Sequence, residues 1–74
     1  MKRKSKEIVA ERLDQLMKQT PHLGTQMKLA NKTGIGQTTI GRIRRGEVNA
    51  TAENLRAIAD AFDVPVGYLY GEET

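Results

Sequence analysis

Apolar residues return along this chain at helical rather than strand spacing. Ile8/Val9, Leu13 and Leu16/Met17 recur every three to five positions and predict a first amphipathic helix beginning at Glu7. Ser5 is its expected N-cap, and Thr20-Pro21 closes it because proline disfavours helical backbone in the residue before it. His22-Leu23-Gly24 reads as a short connector. Thr25 stands where it would cap a second helix, with Met27, Leu29 and Ala30 as a small buried face and Thr33-Gly34 as its end. A third helix, from about Gln37 to Arg45, has Ile40 and Ile43 as its inward pair and Gly46 as its stop. Thr51 caps a fourth, in which Leu55, Ile58, Ala59 and Phe62 fall at i, i+3, i+4 and i+7. Pro65 suits the first turn of a last short helix through about Tyr70, before Gly71 breaks it. There is no strand alternation, internal repeat or low-complexity run, so the pattern predicts an all-α fold, a compact bundle of five short helices around one core.

Length and composition narrow what such a bundle can do. Seventy-four residues supply one hydrophobic core and leave nothing for a second. Most of a chain this small stays wet, so a roomy catalytic cavity is not expected. Without cysteine there is no disulfide framework and no thiolate metal site, which suits a reducing cytoplasm. Phe62, Tyr68 and Tyr70 are its three aromatics, too few for an aromatic ligand cage or a base-stacking platform. No apolar run approaches the roughly 20 residues that span a bilayer, and the N-terminus lacks a signal peptide's apolar stretch. Residues 1–6 carry Lys2, Arg3, Lys4 and Lys6 with no apolar residue after Met1, and are expected to form a flexible basic arm. The folded domain is then expected over 7–71, with 72–74 as an acidic tail or the start of a linker.

The net charge of +3 hides how strongly the charges are sorted. Up to Arg45 there are eleven Lys and Arg against Glu7, Glu11 and Asp14, whereas beyond it Arg56 alone faces six carboxylates. A positive first half points to an anionic polymer or surface as partner, although a plain solvated face would give the same count.

The stretch from Gln26 to Ile43 gives that charge a geometry. Two brief helices joined by a short glycine-containing turn have the spacing of a DNA-binding helix-turn-helix. Ala30 is small where the helices would cross, Gly34 permits the turn, Ile35 plugs the angle, and Leu29, Ile40 and Ile43 seat the pair on the core. Unrolled at about 100° per residue, the third helix sets Gln37, Gly41, Arg45, Thr38 and Arg42 on one arc, opposite Ile40 and Ile43. This arc offers amide, hydroxyl and guanidinium without aliphatic bulk, which matches the edges displayed in a DNA major groove: glutamine to adenine, arginine to guanine, threonine to either a polar edge or a thymine methyl. Gly41 inside a helix costs about 1 kcal/mol relative to alanine, so it either lets a groove wall approach or relieves crowding against a neighbouring helix.

The run Gly34-Ile35-Gly36-Gln37, the opening Gln26, the closing Gly46, the lysine-rich arm and the ending Val64-Pro65-Val66-Gly67-Tyr68-Leu69-Tyr70-Gly71 together resemble the lambdoid phage repressor and Cro family of helix-turn-helix regulators, and in particular its lambda-repressor-like DNA-binding domains. Thr33 departs from the pattern, since family members more often carry an apolar residue there. The resemblance implies that Gln37 is the foremost base reader, followed by Thr38, Arg42 and Thr39, with Gln26 bracing the Gln37 amide and touching phosphate. It likewise implies phosphate contacts by Arg45, Asn49 and Arg44, and an arm of Lys2, Arg3, Lys4 and Lys6 that wraps the duplex. A phage or prophage-type repressor acting in the cytoplasm of a bacterial or phage-infected cell, bound as a homodimer to a palindromic operator, is the function expected from it. Val66 and Tyr70 are the expected dimer contacts, with Tyr68 or Leu69 in the core.

Other chemistries find no footing. His22 has no second histidine or cysteine to share a metal, Ser5 lies in the arm with nothing to activate it, and Gly34-Ile35-Gly36 lacks the third glycine and the strand of a dinucleotide site. No enzyme activity, cofactor or small-molecule substrate is therefore expected. The rival readings are a protein-interaction module, such as an antitoxin or regulatory adaptor, and a peripheral membrane binder using the arm. Both predict indifference to DNA sequence.

Overall fold

The computed structural model describes residues 4–72. Helix α1 spans Ser5–Gln19 and starts two residues before the position its apolar stripe marks, with Lys4 rather than Ser5 at the N-cap. A first turn made of Ser5, Lys6 and Glu7 has no apolar landmark, and Glu7 in that turn complements the helix dipole. Lys6 accordingly belongs to α1 and not to an arm, while Lys2 and Arg3 lie outside the described residues. Pro21–Leu23 makes one 3-10 turn where a plain connector was expected, and it seats Leu23 in the core.

Helices α2 (Gln26–Thr33), α3 (Gln37–Arg44) and α4 (Ala52–Phe62) follow, then the four-residue α5 (Val66–Leu69). Thr25 and Thr51 act as the expected caps, each hydroxyl accepting a backbone N–H at 3.1 Å, from Lys28 and Asn54. Gly34 ends α2 in the left-handed region at φ 80°, its N–H donating to Ala30 O at 2.8 Å. Past α3, Gly46 at φ 74° lets its own N–H reach Ile43 O at 3.1 Å while the Glu47 N–H reaches Arg42 O at 2.9 Å. The same paired closure ends α4 with Asp63 at φ 57° in place of glycine, a conformation that a short polar side chain tolerates. Pro65 stands at the N-cap of α5, one position before the first turn expected for it.

The core draws on every helix: Leu13 and Met17 of α1, Leu29 of α2, Ile40 and Ile43 of α3, Leu55 and Ile58 of α4, and Leu69 of α5 are essentially inaccessible. Truncating one such leucine or isoleucine to alanine costs about 2 to 5 kcal/mol, a large part of a small domain's stability. Met27 is 58% exposed instead of buried, and Phe62 only borders the core. Helix α1 packs on α3 and α5, and α2 on α3 and α4, so α3 is held against two neighbours with its remaining side bare. Thr33, the departure from the family pattern, is accommodated: its hydroxyl donates to Leu29 O at 2.8 Å and accepts from the Ile35 N–H at 3.2 Å, tying the end of α2 to the turn.

Candidate nucleic-acid interface

The turn from Gly34 to Gly36 delivers α3 to the surface. Ile35, 8% exposed, fills the angle between α2 and α3, and Gly36 is extended at the N-cap of α3. Since Ile40 and Ile43 are buried, the helix can turn only its polar edge outward: Gln37, Thr38, Arg42 and Arg45 are exposed and Thr39 is half-buried. Asn49 is exposed in the loop beyond, as is Lys4 at the N-cap of α1, whereas Lys6 is half-buried.

Gln26 at the start of α2 reaches across to α3. Its Nε2 donates to the backbone carbonyl of Gln37 at 3.4 Å, so the brace acts on the helix start and not on the side-chain amide that the resemblance implied. Against the Gln26 side chain lies Gly41, which is buried although it sits on the outward arc. A Cβ there would come within 3.0 Å of both Gln26 Nε2 and Arg45 Nη1, so the glycine makes room for these two side chains and its surface is already covered. Relief of crowding, the second explanation for this glycine, is the one the geometry supports.

The three arginines of this region differ in what holds them. Arg42 is exposed. Arg45 Nε donates to Glu47 across the tight Gly46 turn. That hydrogen bond holds the Glu47 carboxyl below the ordinary glutamate range and raises the guanidinium further, so both stay charged at neutral pH. Arg44 turns the other way: its Nε and Nη2 donate to Asp14 Oδ1 of α1 at 3.0 and 2.8 Å. Asp14 Oδ2 takes Lys18 Nζ at 2.8 Å, and hydrogen bonds from Lys18 first and Arg44 second lower the Asp14 carboxyl below its usual range. The structure thus sets Arg44 against α1, where a contact with DNA phosphate was expected.

At the far end, the expected dimer contacts separate. Val66 packs partly on the core, Leu69 is buried, and Tyr70 is 40% exposed. Tyr68 is half-buried beneath the Arg12 guanidinium, 4.7 Å from the ring centroid.

Asp14, Lys18 and Glu47 are the residues that sequence reasoning passed over. Asp14 and Lys18 do carry the i, i+4 signal of a helical ion pair, whereas the bond from Asp14 to Arg44 spans 30 positions and has no local signature. Among the described residues no group of three or more His, Asp or Glu could hold a metal ion, and no helix is long and apolar enough to cross a membrane. Two open depressions of about 400 and 360 Å³ are lined by Ala52, Glu53 and Arg56, and by Lys32, Thr33, Ala57, Asp60 and Ala61.

A family model described as helix-turn-helix matches residues 13–69, more than half of the chain and all of α2 to α5. No curated protein and no solved structure matches.

Proposed function

The chain belongs to the Cro/C1-type helix-turn-helix family of DNA-binding transcription regulators, and from that premise we propose that it is a phage or prophage-type repressor that occupies a palindromic operator as a homodimer. Helix α3 enters the major groove. Gln37, Thr38 and Arg42 read base edges, with Thr39 beside them, while Gln26, Arg45 and Asn49 hold register on phosphate and sugar. The cations of residues 1–6 add sequence-independent attraction. Val66 and Tyr70 contribute to the contact between protomers, and the work is done in the cytoplasm of a bacterial or phage-infected cell.

One observation carries this reading: the exposed edge of α3 offers amide, hydroxyl and guanidinium in sequence while Ile40 and Ile43 lock its other side to the core. Such an edge is of little use against a lipid surface, which needs charge but no order of donors and acceptors. Selection of bound sites from random duplexes at two salt concentrations tests it. The expected product is a two-fold symmetric motif with half-sites about 34 Å apart, enriched more strongly at the higher salt, where non-specific binding fades. A pool that emerges unenriched at both concentrations overturns the assignment.

A further inference from the structure

We propose that Arg44 and Asp14 form a positioning pair that fixes the recognition helix for DNA, with Arg44 acting through Asp14 and not on a phosphate. This inference rests on the DNA-binding reading above.

Reading a base edge demands that side chains be placed to within about 0.5 Å, which only rigidly supported elements provide. Ile40 and Ile43 hold α3 to the core, but apolar burial is non-directional. Charge-assisted hydrogen bonds are directional, and two of them act here. Arg44, the last residue of α3, places both Nε and Nη2 on one oxygen of Asp14, 3.0 and 2.8 Å away. The other carboxylate oxygen, Asp14 Oδ2, takes Lys18 Nζ one turn along α1 at 2.8 Å, so Asp14 is bonded through both oxygens.

At the opposite end of α3, Gln26 Nε2 donates a longer, weaker bond of 3.4 Å to the Gln37 carbonyl. The eight-residue helix thus has a polar contact at each end, a weak one to α2 at its first residue and the Asp14 bridge to α1 at its last, points about 10 Å apart along its axis. The Arg44 side chain is 28% exposed, half the figure for Arg45 at 56%, and two of its donor groups are already committed.

The test uses the selected duplex and a scrambled one, so that the ratio of affinities cancels the non-specific charge change that any such variant makes. Arg44→Gln, Asp14→Asn and the double variant are titrated across about 50 to 200 mM salt, at a temperature where circular dichroism shows each one folded. Arg44→Lys, which keeps the charge but loses the planar fork, replaces any variant that does not hold its fold. Each single substitution is expected to lower the ratio by at least about threefold, with the double variant no worse than the singles, as for neighbours acting as one unit. The slope of log affinity against log salt stays at the wild-type value for Arg44→Gln.

A slope shallower by about 0.9 for Arg44→Gln alone makes Arg44 a phosphate contact and overturns the inference. So does an Asp14→Asn ratio equal to wild type, which is also the result expected if the bridge served stability only. Wild-type protein that binds both duplexes equally overturns the DNA reading itself, before any variant is read, and the inference falls with it.

Discussion

Glu47 holds the guanidinium that the proposed complex needs for phosphate. Both partners are half or more exposed, so their bond contributes little to folding. On DNA, however, Arg45 would have to exchange this carboxylate for a phosphate oxygen and leave Glu47 beside the anionic backbone. Glu47→Gln is therefore expected to tighten binding by up to about fivefold at low salt, an advantage that shrinks as salt screens it, with an unchanged melting temperature. Fluorescence anisotropy titrations at two ionic strengths read this directly, and weaker binding would mean that Glu47 orients Arg45 productively. Gln37→Ala has the opposite signature. Losing a bidentate base contact costs about 1 to 3 kcal/mol and relaxes preference at one base pair, without altering the salt slope or binding to scrambled DNA. Repeating the site selection with the variant checks it, and an unchanged motif removes Gln37 from the set of readers.

Within the helical pair, two glycines respond differently to alanine. Gly34 sits at φ 80° with nothing within 4 Å of a Cβ, so the cost is in the backbone alone, roughly 1 to 2 kcal/mol for forcing an L-residue left-handed. Gly41 is ordinary helix, where alanine gains up to about 1 kcal/mol, and the atoms a Cβ meets at 3.0 Å are the movable ends of Gln26 and Arg45. Thermal melts should move in opposite directions, Gly34→Ala down and Gly41→Ala up, by about 4 to 8 °C per kcal/mol in a domain of this size. A drop for Gly41→Ala would show that Gln26 and Arg45 cannot yield. These residues also mark what a linear reading reaches. Thr25, Thr51, Gly34 and Gly46 act through bonds within a few positions of themselves, and their roles follow from residue type and spacing. The start of α1 has only polar residues to announce it, and Met27, on a helix of only eight residues, lies on a stripe too short to fix its phase. Asp63 takes a left-handed turn usually given to glycine. The Gln26 brace and the Asp14 bridge depend on how helices are set side by side, which no local pattern encodes. The polar edge of α3 was thus legible as a face, while the partners that hold it were not.

Across the whole molecule, the sorting of charge along the chain becomes a sorting between helices. The cation-rich first half builds α1, α2 and α3, and the acidic second half builds α4 and α5, where Glu53, Asp60, Asp63 and Glu72 are exposed. In the proposed complex a duplex on the α3 edge would lie against Arg42 and Arg45, whereas the exposed carboxylates of the second half would repel it. With Arg44 bonded to Asp14, the cations proposed for DNA are Arg42 on base edges and Arg45, Lys4, Lys6, Lys2 and Arg3 on phosphate, the last two outside the described residues, while Lys28 and Lys32 are further exposed cations of α2. If each half-site neutralises about six phosphates, log affinity falls with log salt at a slope near −5 per protomer. Removing residues 1–3 deletes Lys2 and Arg3 but leaves Lys4 at the N-cap of α1, so the fold should melt as before. The slope should then become shallower by about 1.8, two contacts at 0.9 each, and affinity should drop equally for selected and scrambled duplexes because phosphate contacts carry no sequence. Titrations of the 74-residue chain and the shortened one over the same salt range measure both quantities. A slope that does not change would leave Lys2 and Arg3 without a part in binding.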